Sequence, residues 1–371
     1  MQSAPRTRPA AAARVVVTDD SGFMRRILAS GLEKKGHTII GEAKDGDEAL
    51  ELCAKLKPDV LTLDLAMPGL DGIGVLKELK AKGIDLPVVV VSAFSAAQGA
   101  RAVDALAEGA FELAPKPATG EPLTAFIDDL DAKVRLAAKS RVRRAPAPWR
   151  PAPRPAARPA ARRPLGPRPG TVGGAAAPRA AASAGSGNKI LAIACSTGGP
   201  KALAALVPRI SSVGAGGFIV QHMPPGFTAS LASRLDRDSR HTVVEAQGGE
   251  QLKPGLLLMA PGGSHLRLDS DKARLSDDAP IGALRPRADL TIVDVAKKYG
   301  SRVVLVVLTG MGRDGLEGAK AVRKHGGRIL CEAESTCTVY GMPRAVAEAG
   351  LADVVAPLDD LPAAIAQEIG A

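Results

Sequence analysis

Short β-rich apolar runs alternate with helical patterns along most of this chain, and that alternation constrains the fold more than any other feature. Between residues 14 and 139 the runs Arg14–Val17, Thr38–Ala43, Val60–Leu63, Val88–Val91 and Phe111–Leu113 take turns with helical patterns at Phe23–Lys35, Gly46–Lys57, Ile73–Lys82 and Ala97–Glu108. A last helix at about Pro122–Ala138 closes the series. Five strands and five helices in strict alternation predict an α/β fold, a doubly wound parallel sheet. From residue 189 to 371 the alternation resumes, with a hairpin-like interruption around Val243–Leu275, and a second α/β domain large enough to fold alone is expected.

The two halves are separated by a stretch of different composition. Ala132–Asn188 carries 13 Lys/Arg and no Asp/Glu, and includes Pro151-Ala-Pro-Arg-Pro-Ala-Ala-Arg-Pro159. Such a segment cannot bury a core and reads as a long disordered, partly polyproline-like linker. The predicted organisation is a first domain at 13–139, a linker at 140–187 and a second domain at 188–371. The net charge of +10 is carried by Ala132–Asn188, and the rest of the chain is slightly acidic. The one aromatic in the basic stretch, Trp149, makes no stacking platform, so specific nucleic-acid binding is not expected. Four cysteines without a CxxC pair favour a reducing compartment. The start of the chain lacks the apolar core of a signal peptide, and no apolar run reaches transmembrane length. A cytoplasmic protein without membrane insertion is expected.

Parallel sheets bring functional residues to the carboxyl ends of their strands. In the first half those ends carry Asp19 and Asp20, then Asp64, then Ser92, then Lys116. Clustered carboxylates repel one another unless a cation joins them, and an all-oxygen set suits a hard ion such as Mg²⁺. Asp64 could then attack a phosphoryl donor while Mg²⁺, Lys116 and the Ser92 hydroxyl absorb charge. Solvated caps are the plain alternative for any one of them; five such residues at four strand ends argue against it. With Met67-Pro68, Asp71-Gly72 and Lys116-Pro117, this pattern resembles the response-regulator receiver domain over about residues 13–138. The resemblance implies a flavodoxin-like fold, Asp64 as phosphoacceptor, Mg²⁺ on Asp19, Asp20 and Asp64, phosphoryl sensing by Ser92 and Lys116, and a cis Lys116–Pro117 bond.

In the second half, Ser196 stands on a sharp turn between the apolar run Lys189–Ala194 and the helical stretch Lys201–Val207. Backbone N–H groups and the positive end of the helix dipole lie beside such a hydroxyl. His222 follows the apolar Gly217–Val220, and Asp314 follows the very apolar Arg302–Leu308. Serine needs a base to remove its proton and an acid to orient that base, so these three form a candidate triad. Taken singly, Ser196 reads as a helix cap, His222 as a turn residue and Asp314 as a cap before Gly315. His241 and His265 compete with His222 but sit in the hairpin-like region. Asp289 and Asp294 compete with Asp314 but lie on a helical pattern, facing solvent or capping it. Cys195 is expected to pack against the sheet. A dinucleotide site at Ser196-Thr-Gly-Gly199 is disfavoured by the missing GxGxxG turn.

Ser196-Thr-Gly-Gly-Pro200, Gln221-His-Met-Pro224, Ala260-Pro-Gly262, Arg285-Pro286, Leu308-Thr-Gly-Met-Gly-Arg-Asp-Gly315 and Tyr340-Gly-Met-Pro-Arg344 stand in an order that resembles the chemotaxis protein-glutamate methylesterase (CheB) family. Ala194-Cys195 replaces the Gly-Ala usual in that family. The resemblance implies a phosphorylation-regulated hydrolase of a two-component chemotaxis system. It would remove methyl groups from glutamyl esters on methyl-accepting chemoreceptors, releasing methanol, and deamidate glutamines. A sensor histidine kinase would supply the phosphoryl group, and the hydrolase half would need no cofactor. Ser196 becomes nucleophile, His222 base and Asp314 orienter; Met311 offers a backbone N–H to an oxyanion, and Thr197 is an auxiliary. Tyr340–Arg344 is placed near the cleft. Triad logic gives an acyl-enzyme on Ser196; direct attack by water is the alternative route. A non-enzymatic phosphorylation switch is the competing function.

Overall fold

The computed structural model describes residues 12–144 and 189–370, apart from 94–95, 118–119, 121, 212–213, 215 and 283. The first unit runs β1 (Arg14–Thr18), α1 (Gly22–Lys34), β2 (Thr38–Ala43), α2 (Gly46–Leu56), β3 (Val60–Asp64), α3 (Gly72–Ala81), β4 (Val88–Ser92), α4 (Ala96–Glu108), β5 (Glu112–Pro115) and α5 (Leu123–Arg144). Its sheet is parallel, in the order β2-β1-β3-β4-β5. That is a doubly wound sheet of the flavodoxin-like order. The sequences VLTLD and VVVVS are buried throughout, as expected of strands covered on both faces. Asp45 and Asp71 start α2 and α3 by accepting the N–H groups of Glu48 and Gly74. Helix α5 runs to Arg144, beyond the expected Ala138. Most of the predicted linker lies outside the described residues.

The second unit begins with β6 (Ile190–Cys195), α6 (Gly199–Leu206), β7 (Gly217–Gln221), α7 (Phe227–Asp238), β8 (Thr242–Glu245), β9 (Leu256–Met259), β10 (His265–Asp269) and β11 (Lys272–Ser276). It continues with α8 (Ala288–Tyr299), β12 (Val303–Val307), α9 (Leu316–Lys324), β13 (Arg328–Glu332), α10 (Met342–Glu348), β14 (Val354–Ala356) and α11 (Leu361–Ile369). Seven strands form one parallel sheet, β14-β13-β12-β6-β7-β9-β8. The hairpin is shorter than the sequence suggested: among the strands of the described residues β10 and β11 pair antiparallel, while β8 and β9 lie parallel in the main sheet. β6 is flanked by β12 and β7, so the turns after these three strands meet at one point of the sheet edge.

The two units touch. Ala102, Val103 and Leu106 of α4 join Ala202, Leu203, Phe227 and Leu231 of α6 and α7 in one buried apolar cluster. Asp104 of α4 pairs with Arg234 of α7. Farther along, Val339 packs against the cluster of Phe111, Leu130 and Val134.

Candidate active site

The turn after β6 is held from three sides. Ser196 N–H donates to the Thr309 carbonyl at 3.0 Å, and Gly199 N–H donates back to the Ser196 carbonyl at 2.7 Å. Gln221, buried at the end of β7, gives its side-chain N–H groups to the carbonyls of Ser196 (3.0 Å) and His222 (2.8 Å). His222 N–H in turn donates to the Cys195 carbonyl. Gly198 starts α6 with φ of 80°, a left-handed conformation that suits glycine. Gly310 is pressed onto the Ser196 turn, for a Cβ there would come within 2.8 Å of Ser196 Cβ and 2.4 Å of Met342 Sδ.

Asp314 Oδ2 meets His222 Nε2 at 2.7 Å. The other ring nitrogen, Nδ1, has no hydrogen-bond partner among the described residues. Asp314 also accepts the N–H groups of Ala288 (2.7 Å), Asp289 (2.9 Å) and Gly315 (3.0 Å). Burial works to raise its pKa, but the His222 hydrogen bond and charge, with the amides of Asp289 and Ala288, outweigh burial and hold the carboxyl well below the usual carboxylate range. Asp314 does cap a helix, as one sequence reading had it; the helix is α8, whose own N-cap Arg287 makes no side-chain cap.

Ser196, Thr197, His222, Met223, Met311 and Arg285 line one cleft of roughly 570 Å³. Met311 is 61% exposed, so its side chain is not core packing. Its backbone N–H makes no hydrogen bond among the described residues. Gly341 and Met342 N–H both donate to the Gly310 carbonyl, which brings the start of the Tyr340–Arg344 segment against the Met311 loop. The opposite wall of the cleft comes from the first unit: Glu112, Leu113, Asp129, Ala132, Lys133 and Leu136.

The competing residues are accounted for. His265 is fully buried, accepting the Arg287 N–H at Nδ1 and facing the Ala279 carbonyl. His241 is buried against the Ile210 carbonyl, and burial lowers its pKa. Asp294 holds Arg267. Cys195 is buried with its thiol toward the Val220 carbonyl, and burial pushes the thiol pKa up, so it stays protonated. Asp289 corrects the sequence reading: it is buried and caps α9, accepting Gly315 and Gly318 N–H at 2.8 and 2.9 Å. Sequence reasoning also passed over Gln221 and Glu332. Glu332 is fully buried at the end of β13 and accepts the Thr309 N–H at 2.8 Å, beneath the carbonyl that holds Ser196. Burial raises its pKa. A polar residue ending an otherwise apolar strand was the available signal for both.

In the first unit, Asp19, Asp20 and Asp64 each offer a carboxylate oxygen, all within 4.8 Å of one another. That is a donor set a hard divalent ion fits. Lys116 Nζ lies 2.7 Å from Asp19 and 3.2 Å from Asp64. Burial opposes the Lys116 charge, but the Asp19 hydrogen bond and the Asp64 charge prevail and its pKa is raised. Burial also raises the Asp19 pKa, against the pull of Lys116. Ser92 is buried at the end of β4, and its carbonyl accepts the Lys116 N–H at 2.8 Å. The cis bond expected at Lys116–Pro117 is absent; among the described residues the cis bond is Arg285–Pro286.

A family profile described as CheB methylesterase matches residues 191–365, and one described as response regulator receiver domain matches residues 15–128. A protein-glutamate methylesterase/protein-glutamine glutaminase of Symbiobacterium thermophilum is 41% identical over 365 residues, covering 96% of this chain and 97% of its own length. A protein of the same name from Thermotoga maritima is 37% identical, covering 94% and 96%. The solved catalytic domain of Thermotoga maritima CheB methylesterase is 42% identical, covering 48% of this chain and 98% of its own, with a TM-score of 0.47.

Proposed function

This chain belongs to the CheB methylesterase family, receiver-coupled protein-glutamate methylesterases/protein-glutamine glutaminases, and on that premise we propose how its residues divide the work. Ser196 is the nucleophile, His222 the general base and Asp314 the orienting acid. The Met311 N–H serves the oxyanion, and Thr197 is auxiliary. One observation carries this reading: Asp314 grips His222 Nε2 at 2.7 Å in the cleft that Ser196 lines, leaving Nδ1 to act as base. The substrate is a glutamyl methyl ester on a chemoreceptor. As Ser196 Oγ bonds to the ester carbon, His222 takes the hydroxyl proton, then passes it to the departing methoxy oxygen, and methanol leaves. A water then gives a proton to His222 while its oxygen bonds to the acyl carbon. The Ser196 ester breaks, the proton returns to Oγ, and glutamate is formed. With a glutamine substrate the leaving group is ammonia. The alternative of a non-enzymatic switch is not favoured, since relatives matching almost the whole chain are named as enzymes.

In the receiver, Asp64 accepts the phosphoryl group from a sensor histidine kinase. Asp19, Asp20 and Asp64 are the residues that would hold Mg²⁺, which neutralises phosphoryl oxygens when bound. Lys116 and Ser92 answer the new charge. The four cysteines are free thiols, which fits a cytoplasmic setting. No helix among the described residues is long and apolar enough to cross a membrane.

Ser196→Ala, His222→Ala and Asp314→Ala should each lower methanol release from methylated receptor on the order of 10³-fold or more, with strongly non-additive combinations. Near-wild-type activity in His222→Ala together with loss in His265→Ala would move the base to His265.

A further inference from the structure

We propose that Arg287 is a positioning residue that clamps Asp314 and Asp289 side by side, fixing Asp314 in place against His222 and offsetting one of the two negative charges beside the ring. The inference rests on the reading of Ser196, His222 and Asp314 as one unit. Its basis is a reciprocal arrangement of two helix starts. Neither α8 nor α9 caps itself with a side chain. Asp314, just before α9, accepts the first amides of α8, and Asp289, inside α8, accepts Gly315 and Gly318 at the start of α9. Each carboxylate therefore satisfies the other helix, and the two are forced together in a buried place.

Like charges so placed raise each other's pKa. Asp289 is raised, first by burial and then by the charge of Asp314. The Arg287 guanidinium answers both carboxylates. Its Nε lies 3.2 Å from Asp314 Oδ1 and its Nη2 3.0 Å from Asp289 Oδ2. The third arm, Nη1, donates to the Ile281 carbonyl at 3.0 Å, at the base of the loop whose Gly282, Leu284 and Arg285 line the cleft. The Arg287 backbone is fixed too, since its N–H donates to buried His265 Nδ1 at 3.1 Å. A planar fork with fixed donors suits this bridging task; a lysine point charge does not. Among the described residues, the charged and titratable groups facing the carboxylate pair are His222 after β7 and Arg287 at the start of α8, while Arg285 and, from the first unit, Glu112, Asp129 and Lys133 line the cleft on the other side of His222.

The sign of the effect follows. His222 must be neutral to take a proton, and the acid limb of the rate profile reports that requirement. Losing the guanidinium leaves one extra negative charge beside the ring and favours its protonated form, so the acid limb moves to higher pH. Losing the Asp289 charge does the opposite. Losing both restores the balance.

The test is the pH profile of kcat/KM for methanol release from methylated chemoreceptor by the full chain. Arg287→Met should move the acid limb up by about one pH unit. Asp289→Asn should move it down, and the double variant should return close to wild type. A loop-anchoring role alone would change KM and leave the limb in place. An unmoved limb in Arg287→Met, or a shift that survives in the double variant, overturns the proposal. Should Arg287→Met fail to fold by circular dichroism, Arg287→Lys and Asp289→Asn decide. Lysine should keep the limb near wild type with a lower kcat, and an Asp289→Asn limb that stays put overturns the idea. His222→Ala separates the two readings: if it abolishes release while Arg287→Met leaves the profile unchanged, only the role of Arg287 fails. If His222→Ala is fully active, the triad itself fails.

Discussion

At the scale of single residues, the site depends on contacts too short to tolerate change. Gly310 is the clearest case, because a methyl group there would meet Ser196 and Met342 at distances no real side chain occupies. Gly310→Ala should keep the fold and lower kcat on the order of 10²-fold, as displacement of a nucleophile by about an ångström does. An unchanged kcat, measured on protein with a wild-type circular dichroism spectrum, would mean that the turn adjusts freely. Ser196, His222 and Asp314 stood out as candidates in the sequence because each follows an apolar strand at a turn. The sequence hid the work of Asp289, Gln221 and Glu332. A helical pattern shows where Asp289 sits along α8 but not that α9 starts against it. Gln221 and Glu332 act through carbonyls and amides of distant strands, and only folding brings those together.

At the scale of elements, the order β12-β6-β7 turns three separate strand ends into one site. The strands themselves were legible from their apolar, β-branched runs. Their order in the sheet was not, since it is set by crossover connections that leave no local mark. The hairpin was over-extended for a related reason: β8 and β9 are short apolar runs whose partners lie elsewhere in the chain. Helix α4 carries the other lesson. Its apolar Ala102, Val103 and Leu106 meet α6 and α7 of the other unit, a contact that the helical pattern does not mark. The Asp104–Arg234 pair at that contact is partly exposed, and such pairs contribute roughly 0–1 kcal/mol. Reversing one charge with Asp104→Arg should weaken the docking and raise basal methanol release roughly two- to five-fold. Adding Arg234→Asp should restore the basal rate. Equal rates in all three proteins would remove this contact from the control of the enzyme.

At the scale of the whole molecule, the receiver forms one wall of the cleft that holds Ser196, with Glu112 and Leu113 of β5 and Asp129, Lys133 and Leu136 of α5 facing His222 and Met311. Ser92 and Lys116, at the ends of β4 and after β5, connect the acidic cluster to that same side. A phosphoryl group on Asp64 adds about two negative charges where three carboxylates and one lysine now balance. The rearranged strand ends would then release the wall. The gain cannot exceed the difference in docking free energy between the two states, commonly about 1–3 kcal/mol, or roughly 5–150-fold in rate. On the proposed reading, Ser196 does the chemistry and the receiver governs access to it. The direct measurement is the initial rate of methanol release from methylated receptor by the full chain, with and without a small phosphodonor and Mg²⁺, in wild type, Asp64→Ala and Ser196→Ala. Stimulation within that range is expected for wild type, none for Asp64→Ala, and background release for Ser196→Ala under both conditions. Release by Ser196→Ala at the wild-type rate, or equal stimulation of Asp64→Ala, would contradict it.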